Sequence, residues 1–149
     1  MAREGSGTTL LTHQRTTLRG KQTRLRAIAN GALDAVDRAL RLETEAIIKE
    51  AQKYPDPTGG VYERTYELQN HWQTFPHSGT ATNTDGSRSI AIYNDAVDPR
   101  GRYYAIYVQG EWQTGAHEET GWQRIEDIAA RHSTSQGNRV RAGLRRLGE

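Results

Sequence analysis

The stretch TLRGKQTRLRAIANGALDAVDRALRLETEAIIKEAQK, residues 17–53, places its apolar side chains at the period of a helix. Leu18, Leu25, Ile28, Ala29, Ala32, Leu33, Val36, Ala39, Leu40, Ile47 and Ile48 recur mainly three and four apart, and Arg and Glu fill the other face. Gly31 weakens such a helix by roughly 1 kcal/mol relative to Ala. At ~1.5 Å per residue the helix spans roughly 50 Å, long for a chain of this size. Part of its apolar stripe therefore has another subunit as a possible partner, while the rest covers the chain's own sheet.

Outward from this helix the chain changes character. Before it, residues 1–14 are rich in Gly, Ser and Thr and read as a flexible tail. After it, Pro55 disfavours a helical Tyr54, and Gly59–Gly60 suit a turn. RTYELQNHW, residues 64–72, reads as a short helix with Thr65 as N-cap, Glu67 in the first turn, and Leu68 and Trp72 on one face. A strand is expected near residues 79–83 and another over 87–93, with Asp85–Gly86 as the hairpin turn. YYAIYVQ, residues 103–109, has the strongest strand composition. It would put Tyr104, Ile106 and Val108 on one face and Tyr103, Ala105 and Tyr107 on the other. A polar loop follows. A helix then runs from about Gly121 to His132, with Thr120 and Gln123 in capping-box positions and Trp122, Ile125, Ile128 and Ala129 as its apolar stripe. A last helical turn is possible over residues 140–147.

The expected fold is α+β: a long N-terminal helix and shorter helices on a small antiparallel sheet of three to four strands. The expected organisation is a flexible tail over residues 1–14, one α+β domain over 15–132 and a basic tail over 133–149. Leu68, Trp72, Tyr104, Ile106, Val108, Trp122 and Ile125 form the expected core.

Leu, Ile, Val and Phe make up about 16% of the chain, below the ~20% associated with disorder. Disorder also requires a high net charge, and the chain carries only +2. Seven Tyr and three Trp add area that an aliphatic count misses. A thin core of this size is often completed by oligomerisation. The absence of cysteine excludes disulfides, thiolate metal sites and cysteine nucleophiles. No signal-peptide pattern and no apolar run of membrane-spanning length is present, so no membrane partner is expected.

Charge is unevenly distributed. Residues 1–30 hold six basic groups against Glu4, and residues 131–149 hold five against Glu149. The intervening residues 31–130 hold nine basic and sixteen acidic groups. Arg139, Arg141, Arg145 and Arg146 are thus candidates to face DNA, although solvated tails account for the same pattern.

The five histidines form no compact metal-binding spacing. The neighbouring pairs Glu118–Glu119 and Glu126–Asp127 diverge on any regular element, so neither reads as an acid/base pair. Ser87 and Ser89 lack a nucleophile-elbow context, and the glycines make no phosphate-binding loop. No catalytic constellation and no cofactor is expected. The aromatic residues carry more information. Trp112 stands in a polar loop between Glu111 and Gln113, where it serves either as an anchor for another subunit or as a lid over its own core. Gln109, Gln113, His117 and Tyr107 join it as interface candidates.

Tyr62, Arg64, Thr65 and Leu68, then Tyr104, Ala105, Tyr107 and Val108, then Gln113, His117, Gly121 and Trp122 form an ordered series over about residues 54–131. This series resembles the phage tail-completion, or head–tail joining (neck), proteins of siphophage-type tails. Tyr66 departs from the family pattern, in which Gly usually follows the Arg-Thr pair. The resemblance implies a structural virion protein made in the host cytoplasm. It implies a homo-oligomeric ring, often six-fold, that touches other neck and tail proteins and has no catalytic centre or cofactor. An alternative from charge alone is a nucleic-acid-binding protein that uses its basic ends.

Overall fold

The computed structural model describes residues 6–55 and 67–147. Helix α1 spans Ser6–Ala51, and α5 spans Ile125–Arg145. Between them lie α2 (Glu67–Asn70), β1 (Trp72–Phe75), β2 (Ala81–Thr82), β3 (Arg88–Ser89), β4 (Ala91–Asn94), α3 (Ala105–Val108) and α4 (Gly115–Glu119). The fold is α+β, with a long N-terminal helix, shorter helices and antiparallel strands.

Helix α1 begins eleven residues before the expected start at Thr17. Its 46 residues give a length of about 69 Å. The most extensive packing between elements joins the C-terminal half of α1 to α5. Leu147 meets Gly31 at one end of this pairing, and Ile128 joins Ile47 and Ala51 in the core at the other, so the two helices run antiparallel. Small residues permit the close approach: a Cβ built on Gly143 would stand 2.9 Å from the Ala35 Cβ. Residues 133–145, expected in a basic tail, thus continue α5 alongside α1. Packing against α1 supplies a stabilisation that the polar composition of this stretch does not announce.

The four strands pair two and two. In the first pair Trp72 faces Asn94 and Phe75 faces Ala91; in the second Ala81 faces Ser89 and Thr82 faces Arg88. The Asp85–Gly86 turn forms as expected. Gly86 takes φ +82°, and the Asp85 carboxylate accepts the Ser87 N–H at 2.9 Å. The strand expected over residues 87–93 is divided at Ile90, so its halves join different pairs. Trp72, expected on a helix, opens β1 instead. The proposed cap Thr65 and the Gly59–Gly60 turn lie outside the described residues. Arg41 of α1 donates to the Pro76 carbonyl at 2.8 Å, and Asp37 accepts from the Thr80 hydroxyl at 2.6 Å. These bonds hold the strands against the middle of α1.

Two apolar clusters form the core. One contains Leu68, Ala96, Val108 and Trp122, flanked by Tyr54, Tyr104 and Ala105. The other contains Ile47, Ala51 and Ile128, flanked by Trp72, Ile92, Ile125 and Ala129. Ile106, expected with them, is half-buried.

The largest correction concerns residues 103–109. They form an isolated bridge at Tyr103 and then the helical turn α3, where a strand was expected. The inward positions are Tyr104, Ala105, Val108 and Gln109, spaced as a helix spaces them. β-Branched and aromatic composition favours a strand only where a partner strand offers a pleated surface. Here the ends of α1 and α5 enclose the segment instead.

Candidate protein contact face

A tightly stitched segment follows α3. Gly110 is required there, because a Cβ would fall 2.6 Å from the Ile106 Cα and 2.8 Å from its carbonyl oxygen. The turn lets Trp112 N–H reach the Ile106 carbonyl at 3.2 Å and Thr114 N–H reach that of Tyr107 at 3.1 Å. The expected polar loop then contains the short helix α4. Its end is a Schellman stop: Gly121, at φ +86°, donates to Glu118 O at 2.9 Å, and Trp122 donates to His117 O at 3.0 Å. This geometry replaces the capping box expected at Thr120. The Thr120 hydroxyl instead donates back to the Ala116 and His117 carbonyls, both at 3.0 Å. Helix α5 therefore starts at Ile125 rather than Gly121, and its first N–H donates to the Gln109 carbonyl at 2.8 Å.

Three of the five interface candidates turn inward. Gln109 is buried, and its side-chain amide donates to Ala51 O at 3.0 Å and Gln123 O at 3.3 Å. The Gln113 amide donates to Val108 O and Trp122 O, both at 2.8 Å. His117 shares a 2.6 Å hydrogen bond with the Thr114 hydroxyl and lies edge-on to Trp122 at 6.3 Å. All three fasten the segment to itself and to the core. Trp122 is buried against Tyr54, with ring centroids 4.7 Å apart.

Two candidates remain outward. Trp112 is 59% exposed and Tyr107 44%, with their rings tilted at 46° and centroids 5.8 Å apart. Tyr103, expected on a strand face with Tyr107, is 64% exposed and belongs with them. Together with Asp98, Arg102 and Ile106 they line a cleft of about 550 Å³. Asp98 and Arg102 pair at 2.7 Å across its rim. N–H bonds from the Arg102 backbone and guanidinium hold the Asp98 carboxyl below its ordinary range. Glu111, Glu118 and Glu119, all exposed, extend the segment with negative charge.

The basic residues collect at the opposite end. Arg139, Arg141 and Arg145 on α5 and Arg146 just after it are exposed, and Leu147, which follows, rests beside Gly31. On the N-terminal side of Gly31, α1 exposes Arg19, Lys21, Arg24 and Arg26. Chain ends far apart in sequence thus share one basic pole. Among the described residues, Arg139 is the one of these four with an acidic group nearby: its Nε lies 3.0 Å from Glu43 Oε2 without an aligned hydrogen bond.

Of the residues that carry the family resemblance, Tyr62, Arg64 and Thr65 lie outside the described residues, and Tyr104, Ala105, Tyr107 and Val108 lie on or beside α3 rather than on a strand. Among the described residues, no group of three or more His, Asp and Glu is placed to hold a metal ion, and no helix is long and apolar enough to cross a membrane. Comparison with protein-family models, curated proteins and solved structures gives no match.

Proposed function

We propose that the chain is a structural virion protein of the phage neck, a ring-forming subunit that joins or completes the tail at the head–tail interface. The exposed Trp112–Tyr107–Tyr103 face carries this reading. Large aromatic side chains on a hydrogen-bonded support suit contact with another protein chain, because little conformational entropy is lost on docking. The ordered residue series from Tyr62 to Trp122 and the thin core support the same reading. Mass spectrometry of purified particles from the encoding phage or induced prophage tests it. The expected result is this chain in stoichiometric amount in tailed particles; its absence from them overturns the reading.

The shared basic pole favours a second reading, nucleic-acid binding by the paired ends. Affinity for generic duplex DNA should then fall steeply with salt as phosphate counterions are released. A lack of binding at low salt removes this alternative.

A further inference from the structure

The apolar stripe of α1 outruns its cover. Ala39 and Ala35 lie under α5, and Gly143 sits directly on Ala35. The same face continues through Ala32 to Ile28 and Leu25, at spacings of three, four and seven. The described chain after α5 reaches to Gly31, where Leu147 rests. Leu25 is therefore 66% exposed and Ile28 43%. Lys21 and Arg24 flank them on that face, one turn away. From residue 19 to residue 33 the arm holds four basic side chains and no acidic one.

The aromatic face has the complementary character. Trp112, Tyr107 and Tyr103 expose their rings on a segment, residues 95–119, that holds five acidic side chains against Arg100 and Arg102, with Glu111, Glu118 and Glu119 exposed. The buried Gln109–Ala51 bond fixes this face at the C-terminal end of α1. From Leu25 to Ala51 the helix rises about 39 Å. The arm cannot fold back along a continuous helix to reach its own aromatic end.

We infer that the two surfaces meet between copies: residues 21–28 of one chain dock on the Trp112–Tyr107–Tyr103 face of a second. Leu25 and Ile28 cover the exposed rings, while Lys21 and Arg24 meet Glu111 and the aromatic faces, where a cation over a ring is favourable. Two arms cannot pair as readily, because each brings the same positive charge. A phosphate backbone would leave Leu25 and Ile28 uncovered, so nucleic acid fits this face less well. Because the two surfaces differ, the contact is head-to-tail, and such contacts close into rings or run on as filaments. The inference rests on the proposed ring-forming role and assigns its two contact surfaces.

The test is sedimentation of the full chain at low and high salt, with two variants whose changes lie at exposed positions. Lys21→Glu with Arg24→Glu reverses the arm, and Trp112→Ala with Glu111→Lys alters the face. The wild-type chain should form concentration-dependent oligomers at low salt that dissociate at high salt. Each variant alone should sediment as a monomer with an unchanged circular dichroism spectrum. Mixed together they should give one-to-one pairs and nothing larger, because each retains the surface the other has lost. Persistent association of the face variant would show arm-to-arm pairing and overturn the inference. Association of the arm variant, or a wild-type chain that stays monomeric at every concentration, overturns it as well. Oligomers that appear only with added DNA do the same. Presence in virions is measured separately: a chain found there whose association ignores these variants loses the inference and keeps the neck assignment. Head-to-tail pairing by a chain absent from particles does the reverse.

Discussion

The side-chain amide of Gln109 donates to the backbone carbonyl of Ala51 across 3.0 Å, where α1 ends. The same amide reaches Gln123 O, and the Gln109 carbonyl accepts the first N–H of α5. One buried residue therefore satisfies orphan groups at the ends of two helices. Replacing Gln109 with Ala leaves two carbonyls without that donor and should cost about 2–3 kcal/mol. Gln109→Glu should cost more, since a carboxylate would face carbonyl oxygens. Urea denaturation measures both, and an unchanged midpoint for either would show that the bonds carry little of the stability.

Two helix glycines should respond in opposite ways to Ala. At Gly31 the three nearest atoms all belong to the tip of the Leu147 side chain, which can rotate away. Gly31→Ala should be neutral or gain up to about 1 kcal/mol of helix propensity. At Gly143 the new Cβ meets the Ala35 Cβ at 2.9 Å, and neither atom can move without the helices parting. Gly143→Ala should destabilise by about 1–2 kcal/mol. Combining it with Ala35→Gly should recover the part due to the clash, as read from a double-mutant cycle.

The tryptophans separate core from surface. Trp122→Ala removes a ring buried against Tyr54 and should cost about 3–5 kcal/mol. Trp112→Ala removes an exposed ring and should change thermal stability by less than about 0.5 kcal/mol. Equal losses at both sites would mean that Trp112 is a lid over its own core rather than a contact residue.

The sequence disclosed what local periodicity and turn chemistry control. The long helix, the Asp85–Gly86 hairpin and the inward Leu68 and Trp122 follow from spacing or turn chemistry, Val108 is buried from a helical turn rather than from the expected strand, and the polar setting of Trp112 left an outward contact and a lid equally open. What remained hidden depends on partners distant in sequence. Tyr104 and Val108 fit a helical face as well as a strand face, and a pairing strand, which the described residues do not supply, would be needed to make the segment a strand. Residues 133–145 are polar enough to read as a tail until Gly143 is seen on Ala35. Gln113 and His117 resemble contact residues because nothing local reveals that the Val108 and Trp122 carbonyls lie within reach of one, or that the other packs on the Trp122 ring.

A charged clasp between α1 and α5 gives the last prediction. His132 Nδ1 lies 2.6 Å from Glu43 Oε1, and its Nε2 lies 2.8 Å from Glu50 Oε2. Facing two carboxylates, both ring nitrogens must donate, so the folded state favours the imidazolium. Its bonds to Glu50 and Glu43 raise the His132 pKa. Arg131 and then His132 lower that of Glu50. Arg139, beside Glu43, completes the set of charges. The signs oppose each other. The His132 contribution is fully present below the ordinary histidine value of about 6.5 and is lost as pH rises through the raised folded value. The Glu50 contribution is present above its ordinary value and is lost as pH falls through its depressed folded value. The clasp is thus strongest in the mildly acidic range. There, His132→Ala should cost about 2 kcal/mol, the worth of hydrogen bonds to a charged group. That deficit should shrink as pH rises, because the wild-type imidazolium loses its proton while the variant has none to lose. Urea midpoints of both proteins from about pH 5 to pH 9 measure this difference directly. A deficit that stays constant across the range would mean that His132 contributes by packing, with its charge unimportant to the α1–α5 contact.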